Sequence, residues 1–270
     1  MLALQRQREI LRLIEQEGAV RVANLARRFK VTEETIRRDL TTLENTGRVT
    51  RSHGGAVLSL SSRLEVPHQQ REVLNKAEKI RIANEAVQRV SRGDALLLDA
   101  SSSALFLAQQ LPDMPLTVLT NSVAVVNTLA DYKRIKLIGV GGTFAPMTMS
   151  FVGPSALNSL KEYHVDKLFF SCRGLDVGRG LSDSSEATAQ VKQQMLQIAD
   201  QRILLADHSK FGVRALAVIA DLSAITELIT DDRADAQQCE IIQKLGVPVT
   251  QTQTVAPDPL PDAAPDYANT

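Results

Sequence analysis

Apolar residues recur at helical spacing in two stretches near the start of the chain, and each stretch ends at a residue that stops helices. Residues 4–17 place apolar side chains every three or four positions and are followed by Gly18, a common end cap. After an extended entry over residues 20–22, Asn24 is predicted to cap a second helix that ends near Lys30. The spacing therefore predicts two short helices within residues 4–30.

A third predicted helix follows a two-residue turn and has one apolar face and one basic face. Thr32 supplies an N-cap oxygen, and Ile36, Leu40 and Leu43 recur at positions i, i+4 and i+7. The other face carries short hydroxyls and two guanidiniums: Thr35, Arg37, Arg38, Thr41 and Thr42. Arginine binds phosphates and the O6/N7 edge of guanine, so this face has the chemistry of a DNA recognition helix. The alternative is a basic face that only meets solvent.

A hairpin is predicted directly after the third helix. Gly47 ends the helix, and two β-rich runs, residues 49–51 and 56–58, flank a Gly-Gly turn with Arg51 and His53 at its tip. The order of these elements predicts a winged helix-turn-helix domain over residues 1–58 that binds double-stranded DNA. Two helices are followed by a turn, a capped basic helix and a hairpin. The candidate DNA contacts are Thr32, Thr35, Arg37, Arg38, Arg51 and His53.

Charge is unevenly spread along the chain. The net charge is zero, but residues 1–60 hold 11 Lys and Arg against 7 Asp and Glu, and the remainder holds 20 against 24. A basic excess is expected of a module that meets phosphates, although an excess of four charges is also ordinary surface variation. The order of the elements, more than the charge, therefore predicts DNA binding.

Continuous apolar runs alternate with helical patterns over the rest of the chain. The predicted strands are residues 95–98, 116–119, 135–140, 167–170 and 202–205, with further β segments at 215–220, 227–229 and 247–250. This alternation is typical of an α/β domain with a mostly parallel sheet and helices on both faces. We expect a linker over residues 59–75, this larger domain over residues 76–254 and a disordered tail over residues 255–270.

Polar residues and glycines follow the predicted strands at the end where α/β sheets bind ligands. Hydroxyls and glycine amides at a helix start suit a phosphate, whereas Asp and Asn suit sugar hydroxyls. The candidate effector-binding residues are Asp99, Ser101, Ser102, Ser103, Asn121, Gly141, Gly142, Arg173, Gly174, Asp176, Lys192, Asp207 and Lys210. Each also has an ordinary structural explanation, since Ser and Asp often cap helices, Gly-Gly often forms a turn and a helical Lys is often solvated.

Several classes of protein are disfavoured by what the sequence holds. Cys172 and Cys239 form no CxxC pair and the four histidines lack metal-ligand spacing, so we expect neither a disulfide scaffold nor a metal site, and no cofactor. No apolar run approaches the roughly 20 residues that span a bilayer, and charge comes too early in the chain for a secretory signal. We expect a cytoplasmic protein that does not contact the membrane.

The segment TEETIRRDLTTLENTGRVTRSHGGAV at residues 32–57 closely resembles the signature of the DeoR/GlpR family of bacterial regulators, and the match is nearly continuous over residues 5–58. The resemblance continues over residues 76–232, with LTNS at 119–122, GVGGT at 139–143, SFVG at 150–153, LADHSKFG at 205–212 and ITDD at 229–232. It implies a sensor domain similar in fold to ribose-5-phosphate isomerase, which binds a phosphorylated intermediate of the controlled pathway. It also favours repression.

Two departures from the family pattern bear on the ligand. Residues 99–103 read DASSS where most members have Asp-Ser-Gly-Thr-Thr, and FSCRGLD at 170–176 places Cys172 and Arg173 where smaller, less charged residues are usual. The Cβ at Ser101 restricts how closely the backbone can approach a ligand. This combination resembles the branch that contains the L-fucose operon regulator, which implies a deoxysugar or ketose phosphate.

Three functions remain open from the sequence: a regulator that senses a sugar phosphate, an isomerase fused to a DNA-binding domain, and a winged-helix adaptor without a small ligand. An isomerase needs a general base, and Asp99, Asp176 or Glu186 could formally serve. Nothing in the sequence requires that role, so we predict a regulator and no catalytic residues. Because one recognition helix reads few bases, we also expect a dimer or tetramer, in which effector binding changes the affinity for operator DNA.

Overall fold

The computed structural model describes residues 3–17, 19–45, 49–52, 54–58 and 65–253. Its first part packs three helices against a three-stranded antiparallel sheet in which β3 lies between β1 and β2. The elements are α1 (Ala3–Glu17), β1 (Ala19–Arg21), α2 (Val22–Phe29), α3 (Glu33–Asn45), β2 (Val49–Ser52) and β3 (Gly55–Leu58). This order is that of a winged helix-turn-helix domain, with β2 and β3 as the wing.

The start of α2 differs from the prediction. Asn24 does not cap this helix, because α2 already begins at Val22 and Arg21 stands at the cap position. Asn24 lies in the first turn, where its side chain accepts a hydrogen bond from Arg27 at 2.8 Å. The predicted caps Gly18 and Gly47 and the wing residue His53 lie outside the described residues.

Helix α3 is fixed to the rest of this domain by apolar contacts and one buried ion pair. Ile36 and Leu40 of α3 are fully buried in the same core as Ile10 of α1. Beside them, Arg6 Nε lies 2.5 Å from the carboxylate of Asp39, and both side chains are buried. Because α1 holds α3 on its inner side, the outer side of α3 is left exposed.

The second part is an α/β domain. Its helices are α4 (His68–Val73), α5 (Lys76–Val87), α6 (Ser102–Gln110), α7 (Val123–Leu129), α8 (Pro154–Leu160), α9 (Glu186–Gln197) and α10 (Ala236–Lys244). Its strands are β4 (Ala95–Leu98), β5 (Leu116–Thr120), β6 (Ile135–Gly139), β7 (Thr143–Ala145), β8 (Ser150–Val152), β9 (Val165–Phe170), β10 (Gly174–Asp176), β11 (Gly180–Asp183), β12 (Ala199–Leu205), β13 (Ala217–Ala220), β14 (Glu227–Asp231) and β15 (Val249–Thr252).

Seven of these strands form one parallel sheet in the order β15-β14-β12-β9-β4-β5-β6. Successive residues of a strand point to opposite faces, and here both faces are covered. Leu97 and Phe170 belong to the core on one face, while Leu98 and Phe169 belong to the core on the other. The continuous apolar runs in the sequence therefore reflect burial on both sides, as predicted for a parallel sheet.

Two smaller sheets were not predicted. β7 and β8 form a hairpin, and β10, β11 and β13 form a three-stranded antiparallel sheet. Strands of three or four residues carry too little pattern to stand out from turns in the sequence. Both sheets follow strands of the parallel sheet, so they build up the carboxyl end where ligands are expected.

Candidate functional site

A cavity of about 670 Å³, including the space open to solvent at its mouth, lies at the carboxyl ends of β4, β5, β9 and β12. The lining residues are Glu65, Val66, Arg71, Lys79, Asp99, Ala100, Ser101, Ser102, Ser103, Asn121, Thr148, Ser171, Cys172, Arg173, Asp183, Ser184, Thr188, Val191, Lys192, Met195 and Lys210. Five cations thus face three carboxylates, and the excess favours an anionic ligand.

The structure gathers eight of the predicted effector-binding residues around this cavity. They are Asp99, Ser101, Ser102, Ser103, Asn121, Arg173, Lys192 and Lys210. Seven of them follow the ends of four different strands and Lys192 lies on α9, and no spacing in the sequence brings them together. The shared location follows from the parallel topology, which collects all carboxyl ends at one edge of the sheet.

Five other predicted residues do not line the cavity: Gly141, Gly142, Gly174, Asp176 and Asp207. Two of the glycines have a packing role, because a Cβ at Gly142 would lie 2.7 Å from Val152 O and one at Gly174 would lie 2.3 Å from Val213 O. Gly142 also has a φ of +151°. These two positions need glycine for close approach of the backbone.

The two aspartates outside the cavity wall hold other parts of the chain. Asp176 accepts a hydrogen bond from Arg214 Nε at 2.8 Å. Asp207 is fully buried and accepts from Asn75 Nδ2 at 2.9 Å and from Ser209 N at 3.0 Å. Both carboxylates therefore order the segment that carries Lys210.

Lys192 lies at the bottom of the cavity in a buried ion cluster. Its Nζ is 2.7 Å from Asp183 Oδ2, 3.3 Å from Asp99 Oδ2 and 2.7 Å from Ser171 O. Burial alone lowers the pKa of Lys192, but the two carboxylates outweigh this and raise the pKa above its ordinary value. The charge of Lys192 is thus already neutralised by the protein.

Arg71 and Lys210 differ from Lys192 because no described carboxylate lies within ion-pair distance of either side chain. Arg71 Nε and Nη2 are buried and have no hydrogen-bond partner among the described residues. Burial lowers the pKa of Arg71, and Asp183 opposes this from longer range. Burial also lowers the pKa of Lys210, with Asp207 opposing. Buried guanidinium nitrogens without a hydrogen-bond partner are costly, and Lys210 lines the same cavity, so both groups are poised to bind an anion.

The N-terminus of α6 adds a second anion-binding feature beside these cations. Ser101 caps the helix by accepting a hydrogen bond from Ala104 N at 3.0 Å, and Asp99 Oδ1 accepts from Ser101 N at 3.0 Å. This arrangement presents the hydroxyls of Ser102 and Ser103 at the positive end of the helix. A phosphate group fits this chemistry.

A hydrogen-bond acceptor lies on another part of the cavity wall. Asn121 Nδ2 donates to Phe151 O at 2.9 Å, whereas the buried Asn121 Oδ1 has no partner among the described residues. An acceptor that lacks a donor suits a ligand hydroxyl. The cavity can therefore bind a molecule with an anionic end and at least one hydroxyl.

The candidate general bases of an isomerase are engaged elsewhere or lie away from the cavity. Asp99 is part of the Lys192 cluster and also accepts from Ser171 N at 3.2 Å. Asp176 is bound to Arg214, and Glu186 is absent from the cavity wall.

Within the described residues no group of three metal-ligating side chains is present, and no described helix is long and apolar enough to cross a membrane.

Four charged cavity residues escaped sequence reasoning: Glu65, Arg71, Lys79 and Asp183. The first two lie in the segment that the sequence analysis interpreted as a linker. Pro67 precedes α4 directly, and a proline at a helix start is a signal that could have predicted a helix there. Asp183 ends β11, which was too short to recognise.

Lys79 should make the stability of the protein depend on pH. Burial lowers its pKa to about 7, and the charge of Lys210 acts in the same direction. The unfolded chain then holds this proton between about pH 7 and 10 while the native state has lost it, so stability rises with pH there. Between pH 7 and 8.5 the free energy of unfolding of wild type, relative to Lys79→Met, should rise by up to about 1.4 kcal/mol per pH unit. Chemical denaturation measures this, and exposed Lys76→Met should not change the pH profile.

The candidate DNA-binding face is the outer side of α3. Thr32 Oγ1 accepts a hydrogen bond from Thr35 N at 3.3 Å, which is the predicted cap. Arg37 is paired with Glu33 at 2.7 Å, whereas Arg38 extends into solvent with 82 % of its side chain exposed. Arg51 of the wing reaches back to Thr41 Oγ1 at 3.3 Å. The exposed polar residues of α3 and the wing thus form one continuous surface.

Comparison with known proteins matches both parts of the chain to family models. Residues 6–62 match the DeoR-like helix-turn-helix domain, and residues 74–232 match the DeoR C-terminal sensor domain. Among solved structures, ribose-5-phosphate isomerase A from Methanocaldococcus jannaschii aligns with a TM-score of 0.39 and 19% identity over 51% of this chain and 55% of that one.

Similar proteins over nearly the whole chain are transcriptional regulators. An uncharacterised HTH-type transcriptional regulator of Bacillus subtilis, YulB, is 43% identical over 93% of this chain and 97% of its own length. The L-fucose operon activator of Escherichia coli is 36% identical over 84% of this chain and 95% of its own. The transcriptional repressor AccR of Agrobacterium fabrum is 35% identical over 84% of this chain and 88% of its own length.

Proposed function

Because the chain belongs to the DeoR family of transcriptional regulators, we propose that its cavity binds one particular phosphorylated sugar, whose occupancy controls operator binding by the winged helix-turn-helix domain. The observation that carries this proposal is that Arg71 Nε and Nη2 are buried at the cavity without a hydrogen-bond partner among the described residues, with Lys210 on the same cavity wall. A phosphate supplies the missing charge and accepts several hydrogen bonds.

The effector would lie with its phosphate near the N-terminus of α6 and its hydroxyls toward Asn121. Ser102 and Ser103 would bind the phosphate together with Arg71 and Lys210. Lys192 would act indirectly, because its pairing with Asp183 and Asp99 fixes the floor of the cavity. The likeness to the L-fucose operon activator and the DASSS and FSCRGLD segments support a deoxysugar or ketose phosphate as the effector.

The DNA contacts would be made by α3 in the major groove and by the wing. Thr32, Thr35, Arg37, Arg38 and Arg51 carry the hydroxyls and guanidiniums for this, and His53 belongs to the same proposal although it lies outside the described residues. The protein would act in the cytoplasm as a homo-oligomer, because one short helix reads too few bases for a specific site. In the absence of effector it would repress a carbohydrate operon.

The test is thermal stability of the full chain against a panel of sugar phosphates, each paired with its free sugar. A ligand that binds the native state stabilises it by mass action, by about 2.7 kcal/mol at one hundred times Kd. We expect one phosphate to raise Tm and its free sugar to leave Tm unchanged. If no sugar phosphate raised Tm, the cavity would not be an effector site and the winged-helix adaptor would become the better description.

A further inference from the structure

Part of the cavity wall comes from the stretch of chain that joins the two family regions. These regions are residues 6–62 and 74–232, and between them Glu65, Val66 and Arg71 line the cavity. We call residues 65–75 the strap. A ligand in the cavity therefore contacts the α/β domain and also the segment that continues toward the DNA-binding domain.

The strap has few apolar contacts of its own. Its helix α4 has six residues, too few to be stable alone, and only His68 among them is buried as a whole residue. Val73 and Leu74 are 71% and 47% exposed. At its start the strap is held by a hydrogen bond from His68 N to Met147 O at 2.8 Å. Its position is thus determined largely by polar contacts.

The end of the strap is held by groups close to the cavity. Lys79 Nζ donates to Arg71 O at 2.5 Å and to Leu74 O at 2.7 Å, which satisfies carbonyls at the end of α4. Asn75 Nδ2 donates to Asp207 Oδ1 at 2.9 Å, and Asp207 caps the turn that carries Lys210. These contacts place the guanidinium of Arg71 in the cavity, where its Nε and Nη2 have no hydrogen-bond partner among the described residues.

Building on the proposed function, we infer that the effector's phosphate binds the buried guanidinium of Arg71 and so holds the strap against the α/β domain, which transmits occupancy of the cavity to the DNA-binding domain. A ligand shifts a conformational equilibrium only if it binds one state more tightly. Arg71 supplies that difference, because its contact with the phosphate exists only while α4 is in place. The strap is therefore the element through which the effector changes the arrangement of the DNA-binding domains.

Hydrogen exchange of the full chain tests this inference, with inorganic phosphate as the probe and chloride at equal ionic strength as the reference. Two groups of amides are followed: those of the strap and those of the first turn of α6. In wild type, phosphate should slow the hydrogen exchange of both groups of amides. In Arg71→Met, phosphate affinity should fall about 10- to 100-fold. At matched occupancy, this variant should keep the protection of α6 and lose that of the strap.

Two further variants complete the design. Lys76→Met removes a cation that is close in sequence but exposed, so both responses should stay as in wild type. Arg71→Lys keeps the positive charge but lacks the planar guanidinium that can donate two parallel hydrogen bonds, so it should give partial protection of the strap. If phosphate protected α6 but never the strap in wild type, the inference would be overturned while the phosphate site stood. If phosphate protected neither, the proposed function would fail as well.

Discussion

Replacing Lys192 with methionine is expected to lower the free energy of unfolding by about 3–5 kcal/mol, because the change leaves two buried carboxylates without their cation. Asp183 and Asp99 lie 2.7 and 3.3 Å from Lys192 Nζ, and the ammonium and both carboxylates are buried. Burial raises the pKa of Asp183, and Lys192 is the main group that lowers it below its usual value. Urea denaturation of wild type and Lys192→Met measures the loss.

Two variants show whether the loss comes from the buried carboxylates. Lys244→Met breaks an exposed pair with Glu240 and should change stability by less than about 1 kcal/mol. Adding Asp183→Asn to Lys192→Met should recover part of the loss, since one of the two unpaired charges is removed. A loss below about 1 kcal/mol in Lys192→Met alone would mean that the cavity floor does not depend on this cluster.

The sequence predicted the large elements of the fold because burial on two faces leaves a strong pattern. The buried runs around Leu97 and Phe169 are apolar without interruption. A strand with one face in solvent would instead alternate apolar and polar residues, so the runs indicate a parallel sheet covered on both faces. The predicted start of α2 was wrong by three residues, because Asn24 has a side chain suited to a cap but lies in the first turn, while Arg21 stands at the cap position. Local preference does not decide between such neighbouring positions.

The candidate site was predictable where it follows strand ends and unpredictable where it depends on tertiary contacts. Asp99 and Asn121 follow buried strands directly and Lys210 lies in the turn after β12, so topology brings them to one cavity. Lys192 and Lys210 looked alike in the sequence, and only the structure shows that one is neutralised by two carboxylates and the other is not. Arg71 could not be assigned because nothing local indicates that α4 folds over the cavity.

On α3 the two neighbouring arginines differ in how they are held. Arg37 Nη2 lies 2.7 Å from Glu33 Oε2, so its guanidinium is oriented by its own helix. Arg38 Nε lies 3.5 Å from Glu34 Oε1 and its side chain is almost fully exposed. A long and largely exposed guanidinium on the outer face of α3 has the reach to pair with the edge of a guanine.

Arg38→Ala is therefore expected to weaken binding to operator DNA by about 10- to 100-fold, the equivalent of one bidentate contact with a base. Fluorescence anisotropy at fixed salt, with a duplex that the wild-type protein selects from a random pool, measures this loss. Arg12→Ala removes an exposed arginine of α1 and should leave the affinity nearly unchanged. The Tm shift caused by the effector should persist in Arg38→Ala, because the cavity does not include α3. Loss of DNA binding and of that shift together would mean that this side chain supports the fold of the whole chain instead of contacting DNA.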